Sequence, residues 1–145
     1  MLKRSQQKKM HLKTLGIPEH NNNSVWEISF YTDFVLEFSG FSNEIQDELS
    51  ARLIKLKPFG PHLGRPDVDT LKGSRYPNMK ELRFSVADEE WRVAFAFDPR
   101  RRGILLVGGS KSGISQRRFY KSLIRVADER FERHLAVTAK ERKKE

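Results

Sequence analysis

Apolar and polar residues alternate over Trp26–Tyr31 (WEISFY). Trp26, Ile28 and Phe30 share one side and Glu27, Ser29 and Tyr31 the other, which predicts a half-buried strand. The period then lengthens. Thr32 and Asp33 can cap a short helix that stops near Gly40, and Asn43, with Gln46 three residues on, can cap a second. Ile45, Leu49, Leu53 and Leu56 fall on one face of that second helix, and Pro58 ends it. The pair reads as a helical hairpin lying on a sheet, with an acidic outer face that would suit nucleic acid poorly.

From Pro58 to Met79 no period is visible. Four prolines and three glycines mark a long irregular connection, a feature often tied to function in a compact domain. Alternation resumes in KELRFSV (80–86) and, more clearly, in WRVAFAF (91–97), with Ala87–Glu90 as the turn between them. Asp98–Gly103 forms the next turn and ILLV (104–107) a buried strand, so these three strands read as an antiparallel meander. After Gly113 the period is helical again: Phe119, Leu123, Val126 with Ala127, Phe131 and Leu135 share a face, and residues 140–145 are expected to fray. The fold class is α+β, a helical hairpin packed on a small, mostly antiparallel sheet with a C-terminal helix. One domain spans residues 24–139, behind a polar, aperiodic basic tail over residues 1–23.

Composition narrows the classes. The chain has 145 residues, enough for one domain, and 37% hydrophobic with 32% charged residues suits a folded, water-soluble protein. Cysteine is absent, which removes disulfides, thiolate metal sites and a cysteine nucleophile and fits a reducing cytoplasm. No apolar run reaches membrane-span length, and no apolar segment follows the basic N-terminus as a secretory signal requires. Net charge is +9 and unevenly spread: residues 71–125 carry thirteen Lys/Arg against five acids, whereas residues 24–70 are net acidic. Bases segregated in this way attract polyanions by displacing counterions from phosphates.

The basic stretch contains GGSKSGISQRRFYKSL (108–123). A nucleotide-cradling loop would need a lysine directly after the last glycine of G-x-x-x-x-G; Gly103 and Gly108 have that separation, but Gly109 follows and the interior is strand-like. What remains is a glycine-rich strand exit that presents Lys111, Arg117, Arg118 and Tyr120 at a helix start. Cations for phosphates beside a ring for stacking suit single-stranded RNA. Phe119 starts the apolar stripe and anchors the helix, while Tyr120 lies off it. In WRVAFAF, Trp91, Val93, Phe95 and Phe97 share one face, and Arg92 rises among Ala94 and Ala96 on the other, as though from the floor of a shallow pocket. Arg83 has Glu81 on its own face and can form a surface ion pair. Lys80 shares parity with Leu82 and Phe84, so it can reach the Arg92 face only if the chain bends at the strand entrance. His62, in the long loop, and His134, near the chain end, read as surface residues. Asp67, Asp69 and Asp88–Glu90 lack the histidine partners of a metal site, and no cofactor or metal is expected.

The spaced combination TLKGSRYPNMKELRF, EWRVAFAFDPRRRGILLVGG, the following lysine and RRFY, with a terminal helix behind it, resembles the RelE/ParE superfamily of toxins from toxin–antitoxin systems. It is closest to the phage-type HigB-like branch, over residues 25–137. The resemblance implies ribosome-dependent cleavage of mRNA, with translation inhibited. It places catalytic function on Lys80, Arg92 and Tyr120 and RNA binding on Lys72, Arg83, Lys111, Arg117 and Arg118. It also implies a cognate antitoxin partner, a helix-turn-helix HigA-like protein. ParE-like members of the same superfamily instead inhibit DNA gyrase without nuclease chemistry, and a relative that only binds its antitoxin is a third alternative. For the nuclease, the RNA's 2′-OH would attack the adjacent phosphorus without a metal. Lys80, or Tyr120, would take the proton and Arg92 would stabilise the phosphorane.

Overall fold

The computed structural model describes residues 25–144; the basic tail of residues 1–23 lies outside the described residues. The chain runs β1 (Glu27–Phe30), α1 (Thr32–Ser39), α2 (Asn43–Phe59), a 3-10 turn (Gly60–His62), β2 (Val68–Thr70), β3 (Lys80–Val86), β4 (Glu89–Phe97), β5 (Arg102–Ser110) and α3 (Gln116–Lys144). One five-stranded sheet has the order β1-β5-β4-β3-β2. β2 to β5 form an antiparallel meander, and β1 closes the far edge parallel to β5, with Ile28 opposite Gly103. The α+β class, the hairpin and the C-terminal helix are as the periodicity predicts.

Both faces of the sheet are covered, which explains why β4 and β5 are nearly continuous apolar runs. The hairpin buries one face: Phe34, Leu49 and Leu56 pack with Leu82, Val93, Phe95 and Leu105. The other face lies under α3, where Phe119, Leu123, Ala127 and Phe131 meet Ala94, Ala96, Ile104 and Leu106. Ala94 and Ala96 are fully buried. The alanines are therefore the bed on which α3 rests, not the open pocket floor their pattern suggested; small side chains let helix and sheet approach closely.

Several local readings shift. Ser42, not Asn43, caps α2, its Oγ accepting from Ile45 N at 3.3 Å. Gln46 spans the hairpin instead of completing a capping box, its Nε2 donating to the carbonyls of Phe38 and Phe41 at 2.9 and 3.2 Å. No side chain caps α1, which starts at Thr32 behind Tyr31. Pro58 sits inside the last turn of α2, and the helix stops one residue later because Gly60 turns to φ 55° beneath Trp26. The connection after it contains β2, too short to show a period. At the other end α3 remains helical through Lys144, past Lys140 where fraying was expected. Basic residues near its C-terminus complement the helix dipole, and Thr138 is buried.

Candidate functional site

The site forms where the middle strands meet the start of α3. Arg83 on β3 pairs directly with Arg92 on β4, and Arg92 pairs with Gly109 on β5. Over Gly109 the Phe119 ring lies 3.5 Å from where a Cβ would stand, and the start of α3 brings in Tyr120. That turn is set by Ser115, whose Oγ accepts from Arg118 N at 3.2 Å.

Side chains from β3, β4 and α3 form one network. Arg92, 3% exposed, donates from Nε to the Tyr120 hydroxyl at 3.2 Å and from Nη1 to Trp91 O at 2.8 Å. It also reaches Glu90 at 3.4 Å. Tyr120 donates its hydroxyl proton to Glu81 Oε1 at 3.3 Å, and Arg83 Nη1 donates to the same oxygen at 2.7 Å. Glu81 is 4% exposed, and its second oxygen, Oε2, has no hydrogen-bond partner among the described residues. Burial raises the Tyr120 phenol above its ordinary value; the Arg92 hydrogen bond pulls the other way, and the Glu81 charge adds to the rise. Tyr120 is therefore a neutral hydroxyl at physiological pH. Glu90, at the rim, is held below the usual carboxylate range by the Ser85 hydroxyl, with Arg92 assisting.

Around this network the predicted residues fall into place unevenly. Lys111 Nζ lies 5.6 Å from the centre of the Tyr120 ring, and its backbone N–H bonds Glu90 O at 2.8 Å. Lys72 lines the same cleft as Glu81, Arg83 and Tyr120. Arg117 and Arg118 are exposed at the helix start, where the helix dipole itself disfavours cations. Lys80 is the residue the structure does not bring in. The β3–β4 ladder runs from Lys80 opposite Phe95 to Val86 opposite Glu89 without a shift, so the bend Lys80 required is absent and it keeps the face of Leu82 and Phe84. Glu81 is the residue sequence reasoning passed over. A carboxylate two residues from an arginine looks like a surface pair; only the covering helix makes it a buried one.

His134 is more than a surface residue. Its Nε2 lies 2.7 Å from Oδ2 of the buried Asp98, which also accepts from Arg102 Nε at 3.0 Å. This group fastens α3 to the β4–β5 turn, away from the arginine cluster; His62 is exposed. Among the described residues no group of three or more His, Asp or Glu is arranged to hold a metal ion, and no helix is long and apolar enough to cross a membrane.

Comparison with known proteins gives a consistent picture. Residues 36–132 match the family of phage-derived Gp49-like proteins, designated DUF891. Two proteins of Mycobacterium tuberculosis strain H37Rv, named as the toxins HigB2 and HigB3, are 44% and 41% identical to the chain over 99 residues. Each match covers 68% of this chain, but 49% of the first relative and 84% of the second. The chain thus spans about half the length of the first. Among solved structures, a double-arginine mutant of the E. coli toxin RelE in the free state matches with a TM-score of 0.51 at 11% identity, covering 69% of this chain and 94% of that one. At that identity the likeness concerns the fold.

Proposed function

The chain belongs to the phage-derived Gp49-like family, in the HigB-type branch of the RelE toxin superfamily, and from this we propose that it is the toxin of a toxin–antitoxin pair that cleaves mRNA on the ribosome. The observation that carries the reading is the buried Glu81 carboxylate, set among Arg83, Arg92 and Tyr120 with one oxygen unpartnered. Such an oxygen in a folded protein calls for a donor. Glu81 lines the cleft with Lys72 and Tyr120, so a ribose 2′-OH seated there supplies one once the carboxylate turns its shielded oxygen outward.

In the proposed reaction the 2′-OH gives its proton to Glu81 as its oxygen attacks the adjacent phosphorus. The phosphorus–5′-oxygen bond breaks, leaving a 2′,3′-cyclic phosphate and a 5′-hydroxyl. Tyr120, neutral and bonded to both Glu81 and Arg92, gives its proton to the departing 5′-oxygen and recovers one from Glu81. Arg92 and Arg83 stabilise the extra negative charge of the phosphorane, an effect typically worth about 10²–10³ in rate per donor. Lys80, on the opposite face, has no part in this scheme; the base role expected of it passes to Glu81. Lys72, Lys111, Arg117 and Arg118 hold flanking backbone. The ribosome supplies the substrate geometry, which accounts for a large share of the rate in positioned reactions. The partner is mRNA in the ribosomal A site, and the inhibitor is a cognate helix-turn-helix antitoxin.

Primer extension on a defined mRNA carried by ribosomes, with naked RNA alongside, tests the proposal by comparing wild type with Arg92→Ala and Arg92→Lys. Cuts confined to A-site codons and reduced about 10²-fold or more in both variants are expected, because a lysine cannot reproduce the guanidinium fork. Equal cutting by wild type and variants removes Arg92 from the mechanism. Absence of cutting by wild type on either substrate defeats the nuclease reading.

A further inference from the structure

Two clefts meet at a shared wall of arginine. One, about 360 Å³, is lined by Thr70, Lys72, Glu81, Gln116 and Tyr120; the other, about 470 Å³, by Arg52, Phe84, Ser85, Glu90 and Arg92. Arg65 and Arg83 line both. Each volume falls in the range of small-ligand pockets. A single-stranded nucleic acid repeats in just this way, a nucleoside on either side of each phosphodiester. Resting on the RNA reading above, we infer that the two clefts take successive nucleosides and that Arg65, together with Arg83, clamps the phosphate between them.

Arg65 lies outside the basic stretch that pointed to nucleic acid, in the proline-rich connection between α2 and β3. Its guanidinium is oriented by Asp69, which accepts from Nε at 3.0 Å and from Nη2 at 2.7 Å. A guanidinium has five N–H donors, so three remain for an anion after these two bonds. The Arg65 hydrogen bond holds the Asp69 carboxyl below its usual range, so the orienting charge persists across physiological pH. The backbone beneath is fastened to the catalytic strand. Asp67 and Val68 N–H groups bond Gly64 O at 3.2 and 3.0 Å, and Arg83 N donates to Asp67 O at 2.8 Å. The Asp67 side chain is buried between Arg52 at 2.9 Å and Lys55 at 2.8 Å, tying the same loop to α2. Arg65 itself is 67% exposed, so it reaches a ligand without unburying anything.

The test is fluorescence anisotropy with a labelled single-stranded RNA of about ten nucleotides, 2′-fluoro substituted so that it cannot be cleaved, across a salt series. Arg65→Ala should weaken binding about five- to twenty-fold and make the log–log salt slope shallower by about 0.7, the value for one phosphate contact on a single strand. Arg65→Lys should fall between, because charge survives and the fork does not. Arg133→Ala, on α3 near the opposite sheet edge, removes the same charge as a control and should change affinity less than about twofold. Arg65→Ala indistinguishable from wild type or from Arg133→Ala overturns the clamp while leaving the RNA reading intact. Wild type without measurable binding overturns the clamp, and cleavage on the ribosome then judges the RNA reading separately.

Discussion

Arg83 and Arg92 stand directly opposite each other on neighbouring strands, an arrangement that like charges make unfavourable. Glu81 and Glu90 offset it, each on one arginine. A network that first creates repulsion and then neutralises it contributes little to folding, so its use lies in what the cations meet. Glu81→Gln should preserve the shape, lower cleavage about 10²–10⁴-fold and leave RNA affinity unchanged or tighter, since one negative charge leaves the groove. Cleavage rates measured beside anisotropy would separate the two effects; a parallel loss of both would make Glu81 a binding residue. Tyr120→Phe should lower the rate by a similar factor between about pH 6 and 9 without removing a titration limb, because the phenol stays neutral there. A limb that vanished in the variant would show the phenolate at work. Arg92 and Tyr120 could be found from sequence because each breaks a period, one among alanines, the other beside an apolar stripe. Glu81 and Lys80 could not be told apart in this way. Alternation sets Glu81 on the Arg83 face and Lys80 on the other, but whether the chain bends at the strand entrance to bring Lys80 in is decided only by the unbroken β3–β4 register.

At the scale of elements, α3 is held at both ends by different chemistry. Its start carries Arg117 and Arg118 against the helix dipole, so Arg117→Glu should stabilise the fold by about 0.5 kcal/mol and weaken RNA binding several-fold. Thermal melts and anisotropy on one preparation check both directions; a gain in both would place Arg117 outside the groove. Toward its far end, Asp98 binds His134 and Arg102. Burial alone would raise the Asp98 carboxyl, but the His134 hydrogen bond and the Arg102 contacts outweigh it and hold the carboxyl below its usual value. Its folded value thus lies under its unfolded one. The stabilisation is complete above about pH 4 and disappears as pH falls through the folded value. Asp98→Asn should therefore lower Tm at neutral pH and flatten the acid limb of a Tm–pH curve; an unchanged limb would assign acid lability to other carboxylates. The helices and the long strands were readable because each spans several periods. β2 was not, since three residues between Pro66 and the turn at Gly73 show no alternation. Nor was the burial of Ala94 and Ala96, because small residues suit an open floor and a close helix contact equally well.

For the whole molecule, the separation of charge along the chain becomes a separation in space. The hairpin with Asp33, Glu44, Asp47 and Glu48 packs on one face, and the network of Glu81, Arg83, Arg92 and Tyr120 lies on the other. Glu37 is neutralised by Arg130 of α3, and Arg52 of the hairpin lines a cleft beside Arg92, so a polyanion is drawn toward the arginine side. That asymmetry would serve a binder of ribosomal mRNA or an inhibitor acting near gyrase-bound DNA. The two differ in what they require at the centre of the field. An inhibitor that acts by occupancy needs surface cations, whereas a nuclease needs a proton acceptor, a neutral donor and a guanidinium within hydrogen-bond reach. On the proposed reading Glu81, Tyr120 and Arg92 take those three parts, at a cost in buried polar groups that occupancy alone would not warrant. Induced expression of wild type should accordingly stop amino-acid incorporation before any DNA-damage response appears, and Arg92→Ala should restore incorporation at equal protein level. Early induction of the damage response, with incorporation intact and Arg92→Ala still toxic, would instead assign the arrest to gyrase and make the network a structural feature of the groove.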